Sequence, residues 1–233
     1  MIIHSIKAFA DNYIWCIQEG TEAVVVDPGT ANGVLDYLEE KQLRLAAILL
    51  THKHEDHTGG VVEIMARHPE SQIYGPKETE ALANRIVKEG NTFNLLGQTI
   101  QVSETGGHTH GHISFLMGNN LFCGDALFSG GCGRVFTGDY EAQYETLQKF
   151  KHLDDDIIIY PGHEYTETNL RFAHDMQPDN EKIFKVLEEV RELRAKGEPT
   201  LPTTIGREKE INLFLQVDTL DDFIELRNAR DDF

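Results

Sequence analysis

The sequence predicts an α/β or layered α+β chain that closes on a small helical region. Three observations carry that expectation. Short apolar runs alternate with helical patterns up to about residue 165, polar loops follow the apolar runs, and helical periodicity takes over from about residue 166.

Each element follows from its local pattern. AVVVDPG (23–29) reads as a buried strand ended by a turn, GVLDYLEEKQ (33–42) as a helix, and LAAILLT (45–51) as a second buried strand. GGVVEIMARH (59–68) has apolar residues at helical spacing, and SQIYG (71–75) looks like a strand. PKETEALANRIVKEG (76–90) predicts a helix, with Pro at its start and Gly at its end. QTIQVSET (98–105) and ISFLMGNNLFCGD (113–125) read as strands, the latter a hairpin turning at Asn119-Asn120. A helix near 140–153 precedes the strand-like IIIYPGHEYT (157–166). TETNLRFAHDM and DNEKIFKVLEEVRELRAKG are then helical, with Asp179 as N-cap of the second. A Pro/Thr-rich connector, EPTLPTTIGREKEIN, leads to a short amphipathic helix, LDDFIELRNARDDF. The division expected is a domain over 1–165 and a helical appendage over 166–233.

Composition narrows the function classes. With 233 residues, 40% of them hydrophobic, the chain can bury a sizeable core. A net charge of -18 argues against a nucleic-acid partner, which calls for a basic surface. No stretch approaches the length of a transmembrane helix, and MIIHSIKAFADNY lacks the pattern of a secretory leader. Cys16, Cys123 and Cys132 are odd in number and without CxxC spacing, so reduced thiols in a cytoplasmic setting are expected. Cys132 lies in a glycine-rich segment, where a small buried thiol is the reading adopted.

The strongest chemical signal is T-H-K-H-E-D-H-T-G-G, residues 51–60. In extended backbone, His52 and His54 project to the same side. Asp56 and His57 follow where the chain turns, so they can face a second point nearby. Imidazole and carboxylate together suit zinc, iron or manganese rather than calcium. A solvated histidine loop is the plain alternative, and four potential ligands within six positions weigh against it. Further ligands can come from GGHTHGHIS (106–114), which offers His108, His110 and His112, from Asp125 in FCGDALF, and from His163 in IIIYPGHEYT. Each sits at the end of an apolar run, where α/β folds gather their sites. His4, His68, His152 and His174 show no ligand spacing.

HKHEDH resembles the HxHxDH signature of the metallo-β-lactamase superfamily, and the GGHTHGH, CGD and GHE segments follow in the expected order. DNYIW (11–15), VVVDPG (24–29), GDALFSGGCGR (124–134), PGHEYT (161–166) and LRNARDDF (226–233) resemble the hydroxyacylglutathione hydrolase (glyoxalase II) family more closely still. The resemblance spans nearly the whole chain. It implies a four-layer αββα sandwich, an α+β fold, with a C-terminal helical domain that binds substrate. It implies two divalent metal ions, zinc first and iron or manganese as alternatives. His52, His54 and His108 would hold one metal, Asp56, His57 and His163 the other, and Asp125 would bridge them. His112 would hydrogen-bond behind the ligands, and His110 would lie on the rim.

The implied reaction is hydrolysis of S-(2-hydroxyacyl)glutathione, such as S-lactoylglutathione, by a hydroxide shared between the cations, in methylglyoxal detoxification. Asp56 and Asp125 would carry the catalysis with the metals. Arg134, Phe136, Tyr165, Arg227 and Arg230 would contact the glutathione moiety. Phe136 stands where a tyrosine often lies and Ala126 where threonine is frequent, so each lacks a hydroxyl that the family commonly has. A monomer with no nucleic-acid or membrane partner is expected. The runner-up reading is a one-iron glutathione persulfide dioxygenase of the same superfamily; other hydrolases of the fold and a non-catalytic metal-binding module stand behind it.

Overall fold

Ile2–Ala8 (β1) and Asn12–Glu19 (β2) pair as an antiparallel hairpin at the head of the chain. In the computed structural model, which describes residues 1–233, they begin one of two units. The first unit comprises Met1–Glu104 and Gly111–Gly124; the second comprises Thr105–His110 and Asp125–Phe233.

In the first unit, β2 pairs antiparallel with Glu22–Val26 (β3), after which the sheet turns parallel. Asn32–Glu40 (α1) returns the chain to Arg44–Leu49 (β4). The short helix Glu55–Thr58 (α2) and Val61–Arg67 (α3) lead to Gln72–Gly75 (β5), and Arg85–Ile86 (β6) ends the six-stranded sheet. Ile14, Cys16, Val25 and Ile48 on one face of this sheet pack with Val34 and Leu38 of α1 and Val61 and Ile64 of α3. Each fully buried aliphatic side chain contributes about 1.5–3 kcal/mol relative to an exposed one.

Thr92–Leu95 (β7), Gln98–Glu104 (β8), Ile113–Met117 (β9) and Asn120–Gly124 (β10) follow as an antiparallel ribbon. Tyr74 of β5 stacks on Phe93 of β7 at 4.1 Å, and Phe93 meets Phe115 of β9 edge-on.

In the second unit, Tyr140–Lys151 (α4) is capped by Asp139, whose side chain accepts from Ala142 N. Ile158–Pro161 (β11) leads to Thr166–Met176 (α5), which packs on Glu181–Ala195 (α6). Thr203–Thr204 (β12) pairs antiparallel with β11, and Ile205–Ile211 (α7), Leu213–Gln216 (α8) and Leu220–Asp232 (α9) complete the chain. Phe172, Phe214 and Phe223 form an aromatic chain through its core. No helix is long and apolar enough to cross a membrane.

Four local expectations need correction. Residues 76–90 form no α-helix, only a 3-10 turn at Lys77–Thr79 and the strand β6. Ile73 N donates to Asn84 Oδ1, Asn84 N to Ile73 O and Val87 N to Gly75 O, so this segment satisfies the outer edge of β5. Those buried backbone groups outweigh helix propensity. The β9–β10 hairpin turns at Gly118-Asn119, one residue earlier than expected, because Met117 pairs with Asn120 and Gly118 takes a φ of 57°. Asn180, not Asp179, caps α6, accepting from Lys182 N and Ile183 N. The connector over 198–212 contains β12 and α7, whose buried face is Ile205, Glu208 and Ile211. A buried acid in that face hides the periodicity.

Candidate metal centre

The first unit places His52, His54, Asp56 and His57 just after β4, where the chain leaves the parallel sheet. Asp27, at the end of β3, organises them. Thr51 donates to it twice, from N to Oδ1 at 2.8 Å and from Oγ1 to Oδ2 at 2.6 Å. The single hydroxyl proton of Thr51 is thereby committed, so its oxygen accepts from His52 Nδ1 at 3.0 Å. His57 Nδ1 donates to the same Asp27 Oδ2 at 3.1 Å. One buried carboxylate therefore fixes the tautomer of two imidazoles and leaves Nε2 of each as a lone pair.

Those nitrogens face further potential metal ligands. His52 Nε2 lies 3.1 Å from His54 Nδ1, and His57 Nε2 lies 3.5 Å from Asp56 Oδ2. Asp27, His52 and His57 form a wholly buried group within metal-ligand reach of one another. Asn12 donates to Asp56 Oδ2 at 3.0 Å and to Asp56 O at 3.3 Å, fixing the carboxylate from β2. His112 is fully buried and stacks on His52 with ring centroids 4.9 Å apart, while His110 is exposed. A Cβ on Gly29 would lie 1.9 Å from Asp56 O, so only glycine lets the two loops approach. A cleft of about 580 Å³ opens beside Asp56, with Phe9, Thr30, Glu55 and Glu63 on its walls.

The second unit gathers His108, Asp125 and His163. Asp125 Oδ2 lies 3.4 Å from His108 Nε2 and 3.3 Å from His163 Nε2. His108 Nδ1 donates to the Arg134 carbonyl at 2.9 Å, so its Nε2 also presents a lone pair. A neutral imidazole whose free nitrogen faces a carboxylate oxygen is stabilised by a cation between them, and the imidazole and carboxylate donors of both units suit a divalent metal. A Cβ on Gly133 would fall 2.0 Å from Asp125 O and 3.0 Å from His108 Nδ1, which requires glycine in that turn.

The other expected residues also lie in the second unit. Phe136 is 64% exposed and meets the His108 ring edge-on at 5.3 Å. Tyr165 stacks on His163 at 4.7 Å with rings nearly parallel, and Phe128 packs edge-on against both. Arg134 is exposed, with Nε donating to Asp231 at 3.1 Å. Arg230 is half-buried and donates to Asn169 Oδ1 at 3.2 Å. Arg227 is buried: Nη1 donates to Cys132 O at 3.0 Å and Nη2 to Asp231 at 2.8 Å. Ala126 is buried and its carbonyl accepts from Gln143. All three cysteines are buried and none forms a disulfide, and burial raises the Cys16 and Cys132 thiols, so neither is a ready nucleophile.

Comparison with known proteins completes the picture. Residues 10–163 match the metallo-beta-lactamase superfamily and residues 164–233 the hydroxyacylglutathione hydrolase C-terminus. The hydroxyacylglutathione hydrolase of Actinobacillus pleuropneumoniae serotype 5b is 49% identical, over 99% of each chain. That of Glaesserella parasuis is 50% identical over 99% of each chain. The chain belongs to the hydroxyacylglutathione hydrolase family. Among solved structures, ETHE1 from Myxococcus xanthus superposes with a TM-score of 0.75 at 26% identity, covering 98% of this chain and 90% of that one. The metallo-β-lactamase α+β fold with a C-terminal helical region, the hydrolase class and the use of divalent metal all follow from this membership. Sequence reasoning missed Asp27, Thr51 and Asn12 as parts of the centre. VVVDPG reads as a strand and turn, and DNYIW carries no chemical spacing of its own.

Proposed function

We propose that this chain hydrolyses S-(2-hydroxyacyl)glutathione, S-lactoylglutathione first, to glutathione and the 2-hydroxy acid, in methylglyoxal detoxification. The observation that carries it is full-length similarity at 49–50% to hydroxyacylglutathione hydrolases, with the family's C-terminal region present. His52, His54 and His108 would hold one divalent metal, Asp56, His57 and His163 the second, with Asp125 shared. Zinc suits this imidazole and carboxylate set, and iron or manganese are alternatives.

When bound, such cations supply Lewis acidity that lowers the pKa of water from 15.7 to about 7 and polarises a carbonyl. The protein's part is to hold and orient. Asp56, tied by Asn12, orients the attacking water and accepts its proton. Water adds to the thioester carbon, the C–S bond breaks, and the sulfur leaves as a thiolate stable enough to need no strong general acid. Arg134 and Arg230 face the carboxylates of glutathione, Arg227 supports Arg134 through Asp231, and the Tyr165 and Phe136 rings give the thioester an apolar wall. Residues 1–165 would form the metal-binding catalytic domain, contributing Arg134, Phe136 and Tyr165 to the substrate, and 166–233 the helical substrate-binding domain, in a cytoplasmic monomer.

Incubation of purified protein with S-lactoylglutathione tests this by release of one thiol per thioester consumed, without oxygen uptake. Metal-replete protein that leaves the thioester intact would overturn it, and oxygen uptake with glutathione persulfide would favour the dioxygenase reading.

A further inference from the structure

Glu208 of α7 is fully buried, and every group that contacts its carboxylate by a hydrogen bond is neutral. Oε1 accepts from Ser129 Oγ at 2.8 Å and Thr203 Oγ1 at 3.0 Å. Oε2 accepts from Gly130 N at 2.7 Å and Asn212 Nδ2 at 3.3 Å. Burying a carboxylate is costly, and a well-packed apolar side chain would serve stability alone at least as well. What the acid holds is the turn Phe128–Gly131, which starts three residues after Asp125 and ends three before Arg134. Asn212 Nδ2 also donates to Phe128 O and Gly131 O, so the turn is tied at each residue.

The turn is linked to Arg230 through a single residue, Asn169. Asn169 Nδ2 donates to Ser129 O at 3.0 Å, and its Oδ1 accepts from Arg230 Nη2. A Cβ on Gly131 would lie 2.6 Å from the Asn169 amide, so nothing separates the turn from Asn169. A shift of the turn must displace Asn169, and with it the guanidinium it anchors.

We propose that Glu208 is a positioning residue for glutathione recognition, setting the Ser129–Gly131 turn on which Asn169 and Arg230 are registered. This rests on the reading that Arg230 faces glutathione. A displacement of about 1 Å in such a support is enough to weaken binding severalfold or more.

Three variants separate positioning from mere support. Glu208→Gln keeps an acceptor for Gly130 N and Asn212 and donates to the two hydroxyls. Glu208→Ala removes all four bonds. Ser129→Ala with Thr203→Val removes two, and reports if Glu208→Ala does not fold. The measurements are KM and kcat with S-lactoylglutathione, the dissociation constant of glutathione by calorimetry, and the melting temperature. In folded Glu208→Ala, KM and the glutathione constant should rise about tenfold with kcat nearly unchanged. The double variant should raise both about threefold, and Glu208→Gln should stay within about twofold of wild type. A lower melting temperature with unchanged KM and glutathione affinity, or Glu208→Gln as impaired as Glu208→Ala, would overturn the proposal. Wild-type protein that binds no glutathione would instead overturn the reading beneath it before any variant is compared.

Discussion

His108 and Asp125 face each other nitrogen to oxygen across 3.4 Å, with the other nitrogen of the imidazole already donating to the Arg134 carbonyl. The same logic recurs where His57 faces Asp56 with its Nδ1 committed to Asp27. In both places the far nitrogen of the ring is committed to a hydrogen bond and the near one points at a carboxylate oxygen. That arrangement is stable when a cation sits between them.

Asp27 has no place in the implied ligand set, yet it orients both His52 and His57. Asp27→Ala should therefore lower metal affinity or turnover about 10–100-fold although every proposed ligand remains. Metal titration of stripped protein followed by kinetics checks this, and wild-type affinity in the variant would contradict it.

Asn12 holds Asp56 by two contacts from the neighbouring strand. Asn12→Ala should reduce kcat about tenfold while KM changes little, because the loss falls on the oriented carboxylate rather than on glutathione. A KM effect without a kcat effect would show that Asn12 acts elsewhere.

Arg227 and Arg230 should separate cleanly. Arg227→Ala strips the partner from the buried Cys132 carbonyl and one partner from Asp231, at a cost of about 2–3 kcal/mol. At 2–4 °C per kcal/mol for a chain of this size, Tm should fall by about 5–10 °C. Arg230→Ala should leave Tm nearly unchanged and raise KM about tenfold. Thermal melts and steady-state kinetics on both variants decide it; equal loss of stability in the two would contradict the assignment.

The stability of the chain should depend on Glu208 through pH. Burial raises its carboxyl above the ordinary carboxylate value in the folded state. The folded chain then binds that proton more tightly than the unfolded chain. Its contribution is most favourable below the ordinary carboxylate range and declines as pH rises through the raised folded value. Glutamine does not titrate, so Glu208→Gln should gain stability relative to wild type as pH increases over that range. Parallel melting curves at several pH values test this, and a difference that is constant with pH would refute it.

The parts of this protein that sequence alone exposes are those with local spacing. HKHEDH places four donors in six residues, and the apolar runs at 23–26, 45–49 and 113–124 need only the period of a strand. What escapes is long-range. Asp27 becomes an organiser only because parallel pairing of β3 with β4 sets it against Thr51, 24 residues on. The stretch 76–90 has the Pro and Gly of a helix, and only its pairing with the outer edge of β5 explains why it is not one. Glu208 lies in the segment expected to be a connector, and its burial depends on contacts with a turn 78 residues earlier.

The most direct test of the whole account is metal content measured together with turnover on one sample. Purified chain should carry two divalent ions, lose thioester hydrolysis as a chelator removes them, and recover it on addition of zinc. Binding at 100 times the dissociation constant adds about 2.7 kcal/mol, so Tm should rise with reloading. Full turnover by a demonstrably metal-free preparation would contradict it.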